Sequence, residues 1–340
     1  NSSTLSVGFR HEARDIDYFD FDNPSASFDL DGNWNTSYKV AYEMHPASNL
    51  HWYIYAAEGY HPAGVNQNPY LDMEDKTYDD EIYIDVTTGI RWYTDNIKLS
   101  TSLFYLEHDG HIFETSEQLD PSNPNAFAFF KQNADSGYEY GSETSGEFKL
   151  NDRFSMGLSL GLMSSEIEFG DHAEHGDEHG EDDHDEDHDE DHDEDHDEDH
   201  DEDHDEDHDD HGDDHDDHGG HEGHAEHGQK AHAPNWNYSL TFNYNFTEDS
   251  SLMVEIAGKD AFIFDSQNDS YESDPYHLLN AYYSHSFNKI RLGVYAKNIL
   301  DESYADRGFI FGLEPPHFHE KLYKSFGPPR EIGMSLTYSF

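Results

Sequence analysis

Apolar and polar residues alternate along most of this chain with a period of two. The clearest run is Trp236, Tyr238, Leu240, Phe242, Tyr244 and Phe246, interleaved with Asn237, Ser239, Thr241, Asn243 and Asn245. One face of such a segment is apolar and the other wholly polar, as in a β-strand with unlike sides. Phe154, Met156, Leu158, Leu160 and Leu162 repeat the pattern against Ser155, Gly157, Ser159 and Gly161. Helical periodicity is nearly absent. The alternation predicts about twelve strands, at 4–15, 33–45, 50–60, 79–93, 97–110, 129–150, 154–168, 234–246, 251–265, 276–287, 290–300 and 329–340.

The expected connections alternate in length. Short turns follow the even-numbered strands, at 45–49, Thr94-Asp95-Asn96, Asn151-Asp152-Arg153, 247–250 and Asn288-Lys289. Long loops follow the odd-numbered ones. A soluble sandwich also alternates along its strands, but Greek-key crossovers have no reason to keep this parity. Bacterial outer-membrane barrels do keep it, with short periplasmic turns and long extracellular loops. The same parity places Phe340 on the periplasmic side. No apolar run reaches the ~20 residues of a spanning helix, which leaves a barrel open, because barrels cross with short alternating strands. The 23 Tyr, 22 Phe and 4 Trp fall largely near segment ends, where a barrel keeps its interfacial girdles.

Charge changes the picture in one place. Residues 171–228 hold 33 of the 76 acidic residues and 16 of the 27 His, with no Lys or Arg. At the centre is a His-Asp-Glu-Asp repeat beginning at His184, His188, His192, His196, His200 and His204. It loosens into His208, His211, His215, His218, His221, His224 and His227. The segment is self-repelling and poor in apolar residues, so it is expected to be disordered when empty. A period of four would align the His on one helical face, but like charges four apart oppose that helix. Imidazole suits zinc, copper and nickel, and carboxylates suit harder cations. Metal capture is therefore the favoured reading, because solubility alone needs acids and not 16 His. The bland alternative is a solvated acidic spacer.

The remaining chain is still acidic, within a total charge of −58. That argues against nucleic acid and for cationic ligands, although salt adaptation would give the same balance. With no Cys, disulfides and thiolate metal sites are excluded.

Three stretches resemble TonB-dependent outer-membrane receptors. Ala57-Glu58-Gly59-Tyr60-His61-Pro62-Ala63-Gly64-Val65-Asn66 is similar to an aromatic-Gly-Pro-Gly-Asn stretch of that family. Ala296-Lys297-Asn298-Ile299-Leu300-Asp301-Glu302-Ser303-Tyr304 resembles its penultimate strand. Pro328-Pro329-Arg330-Glu331-Ile332-Gly333 through Tyr338-Ser339-Phe340 resembles its closing strand with a C-terminal aromatic. The likeness covers the chain outside the His/Asp segment, which looks like an insertion in an extracellular loop. It implies an all-β fold, an antiparallel transmembrane β-barrel. Residues 1–340 would supply the C-terminal strands of a barrel of about 22 strands whose plug domain is absent here. A complete 12-stranded barrel is the alternative.

The expected function is uptake of a metal ion or metal complex across the outer membrane of a Gram-negative bacterium. Zinc is favoured, with nickel, copper or iron as the other candidates. The expected metal-binding residues are His184, His188, His192, His196, His200, His204, His208, His211, His215 and His218, with His317 and His319 in the last long loop. His108 and His111, flanking Asp109, form a further candidate pair. Expected partners are outer-membrane lipid and lipopolysaccharide, a metal or metal chelate and, by resemblance, the TonB complex. No nucleic acid is expected, no cofactor is required, and the protein is expected to be a monomer. The rivals are an iron-siderophore receptor with an incidental acidic loop and a metal-sequestering barrel or adhesin that does not transport. No nucleophile elbow, phosphate loop or zinc-protease helix occurs, so no enzyme is expected.

Overall fold

The structure is a computed structural model that describes residues 2–21, 24, 27–30, 34–68, 71–118, 127–169, 227–311 and 321–340. In chain order, β1 (Ser2–Ala13) is followed by a small hairpin, β2 (Ile16–Tyr18) and β3 (Phe28–Leu30). β4 (Trp34–Ala47) and β5 (Leu50–His61) come next, then β6 (Gly64–Val65) and β7 (Thr77–Tyr78). β8 (Glu81–Tyr93) and β9 (Ile97–Asp109) lead into β10 (Ile112–Gln118) and β11 (Phe127–Asn133). β12 (Ser136–Lys149) and β13 (Phe154–Glu168) precede the short β14 (His227–Gly228). β15 (Trp236–Thr247), β16 (Ser250–Lys259), β17 (Tyr276–Phe287) and β18 (Ile290–Lys297) follow. A last small hairpin, β19 (Ala305–Phe311) and β20 (Lys321–Phe326), stands before β21 (Glu331–Tyr338).

The long strands form one antiparallel meander, ordered β1-β4-β5-β8-β9-β12-β13-β15-β16-β17-β18-β21. Side chains one residue apart take opposite faces, and the register lines like with like. Leu158, Leu240, Ile256 and Leu279 form one row across four strands. The next row is Gly157, Thr241, Glu255 and Asn280, where the Asn280 amide donates to Glu255 at 2.9 Å. The apolar face stays exposed: Phe9 is 74% accessible, Ile90 43%, Leu103 59% and Met334 79%. Buried apolar clusters lie instead among the loops, around Phe130, Phe169 and Phe262 with Phe264. A continuous exposed apolar face with, among the described residues, no core behind it matches a lipid-facing barrel wall and not a water-soluble sandwich.

All short turns lie at one end of the sheet, here called the turn end, and all long connections at the other, the loop end. The turns are closed by the residues that the sequence offers. Thr94 Oγ1 accepts from the amides of Asn96 and Ile97, and Asn151 Oδ1 from those of Arg153 and Phe154. Asn288 adopts φ 54°, a left-handed conformation that Asn tolerates. The four small two-stranded sheets all lie in long connections.

Most boundaries agree within about two residues; three expected strands differ more, the one at 290–300 because β18 ends at Lys297. The expected strand at 129–150 is two elements, because the chain breaks at Ala134 and Asp135, whose amides bond His111 and Glu168 carbonyls outside the ladder. The segment before the break pairs with β10 in a loop hairpin. The expected strand at 251–265 stops at Lys259, since Phe262 and Phe264 turn into a loop core. Among the described residues the sheet is open: β1 pairs with β4 and β21 with β18, but not with each other. A closed 12-stranded barrel would need that ladder.

Candidate metal centre

At the loop end of the polar face, three donors converge. Glu81 opens β8, His108 is the last polar-face residue of β9, and His111 follows the turn. Gly110 makes the convergence possible. It lies at φ 67°, and a Cβ there would meet the Asp80 carbonyl at 3.0 Å. Only glycine takes this bend readily, and it swings His111 back beside His108. The two rings stand 5.1 Å apart at 76°. His108 Nδ1 is 2.6 Å and His111 Nδ1 2.8 Å from the same Glu81 oxygen, so both imidazoles donate to one carboxylate.

The three donor atoms lie within 4.8 Å of one another. Glu81 and His108 are buried at 8% and 9% accessibility. Two imidazoles and a carboxylate form a usual donor set for zinc and its neighbours, and three protein ligands leave a coordination position free for exchange. Glu139 borders the site, its Oε1 3.5 Å from His108 Nε2 and 2.5 Å from Lys230 Nζ. A cavity of about 10 Å³ touches His108, His111, Glu139 and Lys230, room for one water-sized sphere. His61 is the cross-strand partner of Glu81, but it is exposed and outside this set. A far larger cavity, about 690 Å³, lies near the turn end between Arg91, Lys98, Glu147 and Thr241. It contains no His, and Glu147 is paired with Lys98 at 2.8 Å.

The expected His108–His111 pair is therefore brought together. Sequence alone missed Glu81, which lies 27 residues before His108; its only signal was a carboxylate at a strand start on the polar parity. The expected ligands His184, His188, His192, His196, His200, His204, His208, His211, His215 and His218, with His317 and His319, lie outside the described residues. The His/Asp segment leaves the sheet after Phe169 and returns at His227, at the end that holds the trio.

The family model for the TonB dependent receptor-like β-barrel matches residues 2–299. Solved structures of similar fold include the ferric yersiniabactin uptake receptor FyuA from Yersinia pestis, with a TM-score of 0.64 at 14% identity. That match covers 99% of this chain and 43% of the other. The copper transporter OprC matches at TM-score 0.65 and 12% identity, over 100% of this chain and 45% of its own. The ferric citrate transporter FecA matches at 0.60 and 14%, over 100% and 43%. This chain thus spans under half the length of these structures.

Proposed function

This chain belongs to the TonB-dependent receptor β-barrel family of the Gram-negative outer membrane, and from that premise we propose that it takes up a divalent metal, zinc in first place. The observation that carries the reading is the Glu81–His108–His111 trio on the polar face at the loop end. In a barrel that face lines the interior. The His/Asp segment, rooted at the same end, would concentrate cations at the cell surface. The trio would then accept a single dehydrated ion. Three ligands hold it specifically and leave room for release. Transport would draw its energy from TonB, as in the family.

Zinc accumulation in zinc-starved cells tests this, comparing the native receptor with one lacking residues 171–228 and one carrying Glu81→Gln with His108→Asn. Uptake at low external zinc is expected to fall in both, by at least about tenfold in the second. Unchanged zinc uptake together with loss of ferric-chelate uptake would replace this reading with that of a siderophore receptor.

A further inference from the structure

His108 has two ring nitrogens, and the loop-end trio uses one of them. Nδ1 lies 2.6 Å from Glu81. Nε2, on the far side of the ring, is buried and has no hydrogen-bond partner in the protein. The residue as a whole is 9% accessible. A buried polar atom left unpaired is costly, so one that persists beside a site calls for an explanation.

The group that Nε2 faces is Glu139. In the β9–β12 register Gly137 stands opposite His108. Glycine presents no side chain, and residues two apart share a face, so Glu139 is the first side chain of β12 that the ring meets. Its Oε1 lies 3.5 Å from Nε2, and both side chains are nearly buried. That separation is long for a hydrogen bond. Lys230 Nζ donates to the same oxygen at 2.5 Å, and the Lys230 amide donates to Ser165 Oγ at 3.0 Å. Ser165 is itself the cross-strand partner of Glu139. The carboxylate is thus held from the β13 side, and a carboxylate has lone pairs to spare for His108.

We infer that Glu139 is a positioning residue for the metal centre: with an ion on the trio, it accepts the Nε2–H of His108 and fixes the ring with Nδ1 as the bare donor. An ion on Nδ1 displaces any proton there and leaves the ring's N–H on Nε2, where it needs an acceptor. Glu139 is the acceptor in front of it. An outer carboxylate placed in this way sets the tautomer and orientation of a ligating His and raises its basicity. The role rests on the trio's binding metal, as the proposed function has it.

Crystals of the full protein soaked at a series of zinc concentrations and measured at the zinc absorption edge test this. In the native protein the anomalous peak is expected within bonding distance of His108 Nδ1 and a Glu81 oxygen, with Nε2 and Glu139 drawn together to about 2.8 Å. Glu139→Leu should cut zinc affinity at the trio by about tenfold or more. Glu139→Gln keeps an acceptor oxygen but loses the charge that pairs with Lys230, and should retain most of that affinity. A role confined to anchoring Lys230 would make the two variants equally weak. Four outcomes overturn the positioning role and leave the uptake reading standing: a peak bonded to His108 through Nε2, a Glu139 contact that stays at 3.5 Å, equal loss in the Gln and Leu variants, or undiminished affinity in Glu139→Leu. The first two are read from the native crystal and do not depend on either variant folding. Absence of zinc from the trio in the native protein overturns both the positioning role and the uptake reading.

Discussion

Asn298 sits at φ 47° and is 4% accessible. Its amide nitrogen donates to the Glu302 and Pro328 carbonyls at 2.8 and 3.1 Å, and its oxygen accepts from the Glu302 amide at 2.9 Å. Three residues on, Asp301 receives the backbone amide of Arg330 at 3.0 Å and its guanidinium at 3.3 Å. Two of the stretches that carry the family likeness thus form one clasp between β18 and β21. Alanine at 298 would leave these groups unpaired and lacks the tolerance of Asn for a left-handed backbone. Asn298→Ala is expected to cost about 2–4 kcal/mol, read from urea unfolding followed by Trp fluorescence. Asn66 works similarly: its side chain bonds the Asp75 and Lys131 carbonyls at 2.8 Å each and the Lys131 amide at 2.9 Å. It ties the loop after β5 to β11.

Strand β15 has two unlike faces, and each makes its own prediction. Leu240 lies in the apolar row between Leu158 and Ile256, whereas Thr241 lies in the polar row beside Gly157 and Glu255. Leu240→Arg is expected to cost about 2–4 kcal/mol in lipid if it lies near the midplane, and Thr241→Arg far less. Refolding of the two variants into vesicles gives the comparison, and equal costs would remove the membrane argument from this strand. The His/Asp repeat is tested apart from the sheet. A peptide of residues 181–220 is expected to bind several zinc ions at pH 7.5 and to release them by pH 5.5. Protonation of imidazole near pH ~6.5 removes its donor lone pair, so affinity falls as pH falls. The same peptide with every His changed to Asn should hold its cations until carboxylates protonate near ~4. Alike curves for the two peptides would make the tract an acidic spacer.

At the scale of the whole molecule, parity ties the parts together. Five tight turns lie at one end of the meander and the long connections, four of them carrying small hairpins, at the other. An epitope inserted near Gly219 is expected to be labelled on intact cells, because residues 171–228 occupy one of the long connections. Labelling that appears only after permeabilisation would reverse the orientation. Among the described residues, one edge of β1 and one edge of β21 have no strand paired to them. Leu5, Val7, Ile332 and Leu336 beside them are among the most exposed apolar side chains.

The strands were legible because their signal is local: two unlike surroundings impose a period of two on every segment that crosses between them. Phe154 to Glu168 and Tyr276 to Phe287 could be delimited to the residue for that reason. Alternation could not reveal that 127–133 leaves the sheet, since a loop hairpin keeps the same period and only its partner differs. Nor could it find Glu81 beside the two His, because a donor contributed by a neighbouring strand is placed by register. The sequence by itself determined the strands and the parity of the turns, which rest on contacts between near neighbours in the chain, and the donor-rich composition of residues 171–228. Tertiary structure alone decided which donors share a site, because that follows from the alignment of strands far apart in sequence.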